Sequence, residues 1–156
     1  AGYIIKTEEL KEKKVKRKYI ALVSGVINHD VGEIDAPIGR DPSDRKKMCV
    51  IEKNSKNAVT HYSVITRYKG YTHIKCKLET GRTHQIRVHM AYIGHPVSGD
   101  KVYGVKNEKV DFEGQCLHAR KIGFIHPKTN EYIEFTSELP DYFKKYLKKL
   151  ENISSH

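Results

Sequence analysis

The order of apolar and polar positions predicts a strand-rich chain with helices at a few defined places. Residues 1–5 read as a short apolar strand, and the charged stretch 7–14 as a short surface helix. After Lys16, Arg17 and Lys18 comes the compact run Tyr19-Ile20-Ala21-Leu22-Val23, closed by Ser24-Gly25, which has the pattern of a buried strand. Residues 28–34 carry turn formers around Val31-Gly32-Glu33 and predict a small hairpin or loop excursion. Residues 37–48 are basic and punctuated by proline and glycine, and predict the longest irregular loop. Strand-like runs follow at 49–52, 58–68 and 71–79, the last two joined at Lys69-Gly70 as an antiparallel pair.

Where the third of these runs ends, the pattern changes to a glycine turn, a helix, and a glycine-proline stop. Thr83 is placed to cap the helix, Ile86, Met90 and Ile93 share one apolar face, and Gly94 with Pro96 ends it. Arg87 sits one turn in, beside the apolar face. A Gly-Asp-Lys-Val-Tyr-Gly loop at 99–104 follows, then strands at 116–125 and 132–136. A closing helix begins near Pro140, with Tyr142, Phe143, Tyr146, Leu147 and Leu150 in one stripe and four lysines elsewhere. The fold expected is α+β: a mixed, mostly antiparallel sheet with flanking helices.

Composition narrows the function. In 156 residues, 29 Lys and Arg oppose 19 Asp and Glu, a net charge of +10. Such a field attracts phosphate backbones and gains from counterion release, so a nucleic acid leads the candidate partners. The 38% hydrophobic content is that of a folded body and excludes a disordered basic tail. Three cysteines, at 49, 76 and 116, are too few and too scattered for a disulfide framework or a paired zinc site. No apolar run reaches the roughly 18 residues of a membrane span. The expectation is a cytoplasmic monomer with no membrane contact and no metal.

Candidate chemistry is then weighed against plainer readings. His84 and His89 lie five apart on the predicted helix, pointing about 140° apart, so a shared metal ion is disfavoured. A histidine-dependent nuclease or phosphotransferase built on His84, His89 and Arg87 stays a minor alternative, disfavoured for the same reason. Cys116 and His118 share a strand face, but two residues do not make a site. The basic residues before Tyr19 and the second basic segment at 40–47 could be solvated surface. Together, next to an aromatic strand, they favour contact with RNA. A helix start flanked by Arg82 also suits a phosphate.

Certain blocks carry a family resemblance. They are Lys16-Arg17-Lys18-Tyr19-Ile20-Ala21-Leu22-Val23-Ser24-Gly25, Pro37-Ile38-Gly39-Arg40-Asp41 and Gly81-Arg82-Thr83-His84-Gln85-Ile86-Arg87-Val88-His89. Gly94-His95-Pro96 with Gly99-Asp100 follows, then Leu117-His118-Ala119 with His126-Pro127. In this order they resemble the pseudouridine synthases that modify large-subunit ribosomal RNA, the Gly-Arg-Thr-His-Gln-Ile-Arg block most specifically. The resemblance implies an RNA-modifying isomerase that works without cofactor or metal. An aspartate of the family acts on the flipped nucleotide, and the uracil detaches, turns and rejoins the ribose through carbon 5. It also implies that Tyr19 packs on the base and removes the carbon-5 proton, that Arg87 pairs with the catalytic aspartate, and that Leu117 lines the uracil pocket. Arg40, Arg45, Lys46, Lys47, Arg82, His84 and Gln85 are the expected RNA contacts.

One element of the family pattern is absent: the His-Arg-Leu-Asp block that carries the nucleophile. Asp41 and Asp100 lie in family blocks at positions that suit loop fixing. The expectation is therefore that residues 1–156 form the C-terminal portion of a catalytic domain, that the segment with the nucleophilic aspartate lies outside them, and that this polypeptide alone is inactive. The alternative is a non-catalytic RNA-binding module on the same scaffold.

Overall fold

The computed structural model describes residues 2–5, 16–106, 112, 114–125, 128, 132–136 and 139–154. The helix expected at 7–14 and the His126-Pro127 pair lie outside them. Ten strands and two helices are described: β1 (Gly2–Ile5), β2 (Lys16–Ser24), β3 (Val31–Asp35), β4 (Ile38–Asp41), β5 (Asp44–Val50), β6 (Ser55–Lys56), β7 (Val59–Tyr68), β8 (Tyr71–Leu78), α1 (Gln85–Tyr92), β9 (Leu117–Ile125), β10 (Tyr132–Thr136) and α2 (Asp141–Ser154). Seven strands form one sheet in the order β1-β10-β9-β2-β8-β7-β3, and β5-β4-β6 form a second, smaller sheet. Every described strand pair is antiparallel. The α+β class read from the sequence is the fold observed.

Strand β2 lies at the middle of the large sheet, and its alternation supplies both faces. Ala21 and Val23 point to one side and pack with Ile74, Cys76, Ile86 and Met90, so α1 covers that face. Ile20 and Leu22 point to the other side and pack with Phe143, Tyr146 and Leu150 of α2. The expected stripe of α2 is therefore the buried one, with Phe143 wholly enclosed. A third cluster, Ile38, Ala58 and Val88, fixes the small sheet against α1, with Met48, Val50 and Tyr103 around it.

Three local expectations are corrected. Val31-Gly32-Glu33 is the start of β3 and not a turn: a Cβ at Gly32 would stand 2.3 Å from the Tyr62 ring, so this glycine serves close packing across the sheet. The irregular loop expected at 37–48 is the β4–β5 hairpin, turned at Pro42-Ser43. The Asp41 side chain accepts from the Ser43 amide at 2.9 Å and from its hydroxyl at 2.7 Å, which closes the turn. Thr83 does not cap α1; His84 holds the N-cap position, and the Gln85 side chain reaches back to accept from the Arg82 amide at 3.0 Å. The Lys69-Gly70 turn, with Tyr68 opposite Tyr71, is as expected.

Candidate active site

Tyr19 of β2, Leu117 of β9 and Arg82, His84, Ile86 and Arg87 around the start of α1 line one pocket of about 380 Å³. The sheet places the first two on the same side. Tyr19 lies opposite Ala119 and Leu117 opposite Ala21, so both share the phase of the face that α1 covers. The register of β2 against β9 shifts between Lys18 and Tyr19, a bulge that sets the side-chain phase beside the pocket. Thus the three residues the resemblance places around a base are brought together from three separate elements.

Arg87 is held firmly. Its Nε donates to Asp100 Oδ2 at 2.7 Å and its Nη2 to Oδ1 at 3.0 Å, a bidentate pair whose carboxylate is fully buried. Asp100 Oδ1 also accepts from the amides of Val102 and Tyr103 at 3.0 and 3.1 Å. Burial pushes the Asp100 carboxyl up, but Arg87 and the two amides more than offset it and hold it below the ordinary carboxylate value. Arg87 is correspondingly raised by the same hydrogen bonds against its own burial. The loop carrying Asp100 is docked on β2, since the Ser98 amide donates to Leu22 O at 2.8 Å. Gly99 has φ +76, and a Cβ there would stand 2.2 Å from Gly114 O, so only glycine permits this approach. Arg87 was expected to hold a catalytic aspartate; the carboxylate it holds here is Asp100, a loop-fixing residue. Its Nη1 has no protein partner among the described residues.

His84 adopts a left-handed backbone, φ 57°, a conformation that costs a non-glycine residue on the order of 1 kcal/mol. Its Nδ1 lies 2.8 Å from the Tyr103 hydroxyl. Burial, and then the positive charge of Arg87, lower its pKa against the opposing pull of Asp100, so the ring is neutral at pH 7.

The remaining candidates separate. Arg82 lines the pocket with its guanidinium on the 57 loop, Nε donating to Asn57 O at 2.8 Å and Nη2 to Asn57 Oδ1 at 3.2 Å. Gln85, expected among the RNA contacts, is buried, and its amide is wholly engaged inside. Oε1 accepts from Thr80 and Arg82, and Nε2 donates to Val59 O and to Thr60 Oγ1. Its amide closes the start of α1, and the residue also stands in the pocket lining. Arg40, Arg45, Lys46 and Lys47 stand outside the pocket on the β4–β5 hairpin, where Arg40 Nη1 donates to Arg45 O at 3.0 Å. His89 is buried between Thr60, which donates to Nδ1, and Ala36 O, which accepts from Nε2, both at 2.8 Å. That makes it a core histidine. Among the described residues no group of three or more His, Cys, Asp or Glu side chains converges to hold a metal. Sequence reasoning missed Tyr103 and Asn57, and a Tyr four residues past an Asp-bearing glycine gave too weak a signal.

Comparison with known proteins bears on the family of the chain. A family described as RNA pseudouridylate synthase matches residues 5–92. An uncharacterized RNA pseudouridine synthase of Bacillus subtilis is 53% identical over 142 residues, covering 91% of this chain and 46% of that protein. The ribosomal large subunit pseudouridine synthase D of Neisseria meningitidis is 45% identical over 143 residues, covering 85% and 38%. The chain thus spans less than half the length of these relatives. Among solved structures, human RNA pseudouridylate synthase domain containing 1 superposes with a TM-score of 0.71 at 28% identity, covering 92% of this chain and 69% of that one.

Proposed function

The chain belongs to the RNA pseudouridylate synthase family, and from that premise we propose that it supplies the base pocket of a cytoplasmic, monomeric enzyme that isomerises uridine to pseudouridine in large-subunit ribosomal RNA. The observation that carries this reading is the convergence of Tyr19, Arg87 and Leu117 on one pocket. A uridine extruded from the RNA stacks on the Tyr19 ring, with Leu117 closing the apolar side. Isomerisation breaks the bond from the ribose to N1 and forms one to carbon 5, whose proton Tyr19 takes. Arg87, steadied by Asp100, offers its remaining Nη1 to the aspartate that starts the reaction.

That aspartate is not Asp100. Both of its oxygens are already engaged by Arg87 and one also by two backbone amides. The 156-residue polypeptide alone therefore binds RNA without converting it. The β4–β5 hairpin, with Arg40, Arg45, Lys46 and Lys47, meets the phosphate backbone, and Arg82 meets it beside the pocket.

Pseudouridine mapping of large-subunit ribosomal RNA, with and without the gene, tests the activity: one modified position should disappear on deletion. An unchanged pattern, with salt-dependent RNA binding retained, would replace the enzyme by the RNA-binding module. Isomerisation by the 156-residue polypeptide would refute the assignment of the nucleophile. Anisotropy titrations of an RNA stem-loop should show affinity falling linearly on logarithmic axes with salt, and Lys46→Ala should reduce that slope by about 1.

A further inference from the structure

Tyr103 does not line the pocket, yet it touches two of the polar residues that do, His84 and Arg87. Its amide donates to Asp100 Oδ1, and its ring lies 5.0 Å from the Arg87 guanidinium. Its hydroxyl accepts from the Met48 amide of β5 at 2.9 Å and meets His84 Nδ1 at 2.8 Å, with the two rings edge to face at 5.6 Å. Among the described residues His84 Nδ1 is the only acceptor this hydroxyl reaches. A hydroxyl that donates to Nδ1 leaves the imidazole's own proton on Nε2. That Nε2 has no protein partner among the described residues, on a half-buried ring in the wall shared with Tyr19, Arg87 and Leu117. A residue held in a left-handed backbone, tied through Nδ1 and left with its other ring nitrogen without a protein partner among the described residues beside a base-sized pocket is arranged for a ligand.

We propose that Tyr103 is a positioning residue that locks His84 as its neutral Nε2–H form, and that this N–H donates to the carbonyl oxygen by which uracil differs from cytosine. The proposal rests on the uridine reading above. Uracil presents an acceptor at that position and cytosine an amine, so a fixed donor pairs with the first and is left unpaired against the second. Arg87 cannot make this distinction as sharply, because its charge also suits phosphate. The same hydroxyl ties the donor to β5, so docking of the basic hairpin on RNA and orientation of the base contact are mechanically linked.

The test uses the 156-residue chain, its Tyr103→Phe and His84→Gln variants, and a stem-loop RNA carrying either uridine or cytidine at one unpaired position. Nitrogen-15 spectra of the histidine side chains should show His84 protonated at Nε2 in the wild type and as mixed tautomers in Tyr103→Phe, which keeps the ring under Arg87. The wild type should prefer the uridine RNA by about tenfold, and Tyr103→Phe should lose most of that preference while Lys46→Ala weakens both RNAs equally. In the double variant, Tyr103→Phe should add nothing to His84→Gln. A proton on Nδ1, or a spectrum unmoved in Tyr103→Phe, would overturn the positioning role. Affinity lost equally for both RNAs in the His84 variant would assign the contact to the sugar-phosphate chain and overturn the base contact. Failure of the wild type to bind either RNA would overturn the uridine reading and the base contact with it, while the spectrum still decides the tautomer.

Discussion

On the α2 side of β2, Ile20 and Leu22 meet Phe143, Tyr146 and Leu150 in an apolar contact. On the α1 side, Ala21 and Val23 meet Ile86 and Met90, but the same layer also holds the Arg87–Asp100 pair, the Gln85 amide and the Thr60–His89 contact. Two faces of one strand are thus used differently. The α2 face is mostly apolar, with His73 as a buried polar member and the Tyr142 hydroxyl donating to Gln115 O at 3.0 Å. The α1 face has an apolar cluster of its own and adds polar groups held by named partners, together with the strained His84 backbone and the pocket. Both faces contribute to stability, while the candidate chemistry lies on the α1 side, with β2 common to both.

The strongest way to break this division is Phe143→Ala. Emptying the one wholly buried aromatic of α2 should cost about 3–5 kcal/mol in urea unfolding, while RNA affinity of the folded protein stays within about twofold. A larger loss of affinity than of stability would show that the faces are not separable. The next test is pH. His73, also under α2, lies 5.9 Å ring to ring from Phe143, and burial pushes its pKa down to about 4. The unfolded chain takes up the proton first, near pH 6.5. Stability from this group is therefore complete above pH 6.5 and is lost as pH falls from there toward 4, by on the order of 3 kcal/mol in all. His73→Leu should flatten the pH dependence of the unfolding midpoint between about pH 6.5 and 5, leaving the smaller slope of His84 and His89, which are also lowered by burial. On the other face, Asp100→Asn keeps the shape but removes the charge that holds Arg87. It should cost about 1–3 kcal/mol and, unlike Phe143→Ala, weaken RNA binding in the folded protein.

What could be read from the chain follows the same line. The stripe of α2 and the Lys69-Gly70 turn were legible because their causes are local: a helical period and a two-residue reversal. The β4–β5 hairpin was not, since β5 begins with three exposed residues and offers no alternation to read. Gly32 looked like a turn former because its reason, the Tyr62 ring, arrives from β7. Tyr19, Arg87 and Leu117 were found through ordered blocks, whereas the partners that fix their geometry, Asp100 and Tyr103, act through contacts visible only once the loop docks on β2. The internal bonds of Gln85 were hidden for a related reason: the amide of a polar residue in a functional block can be engaged in holding the block in shape.

The alternation of β2 also limits how the gene can change. Inserting or deleting one codon between those for Tyr19 and Val23 would send every downstream side chain of the strand to the opposite layer, so the base platform and the α2 anchor would fail together. Length variation in this protein should accordingly be absent from β2 and better tolerated by the fold at the Pro42-Ser43 turn, which is exposed and outside both packed layers.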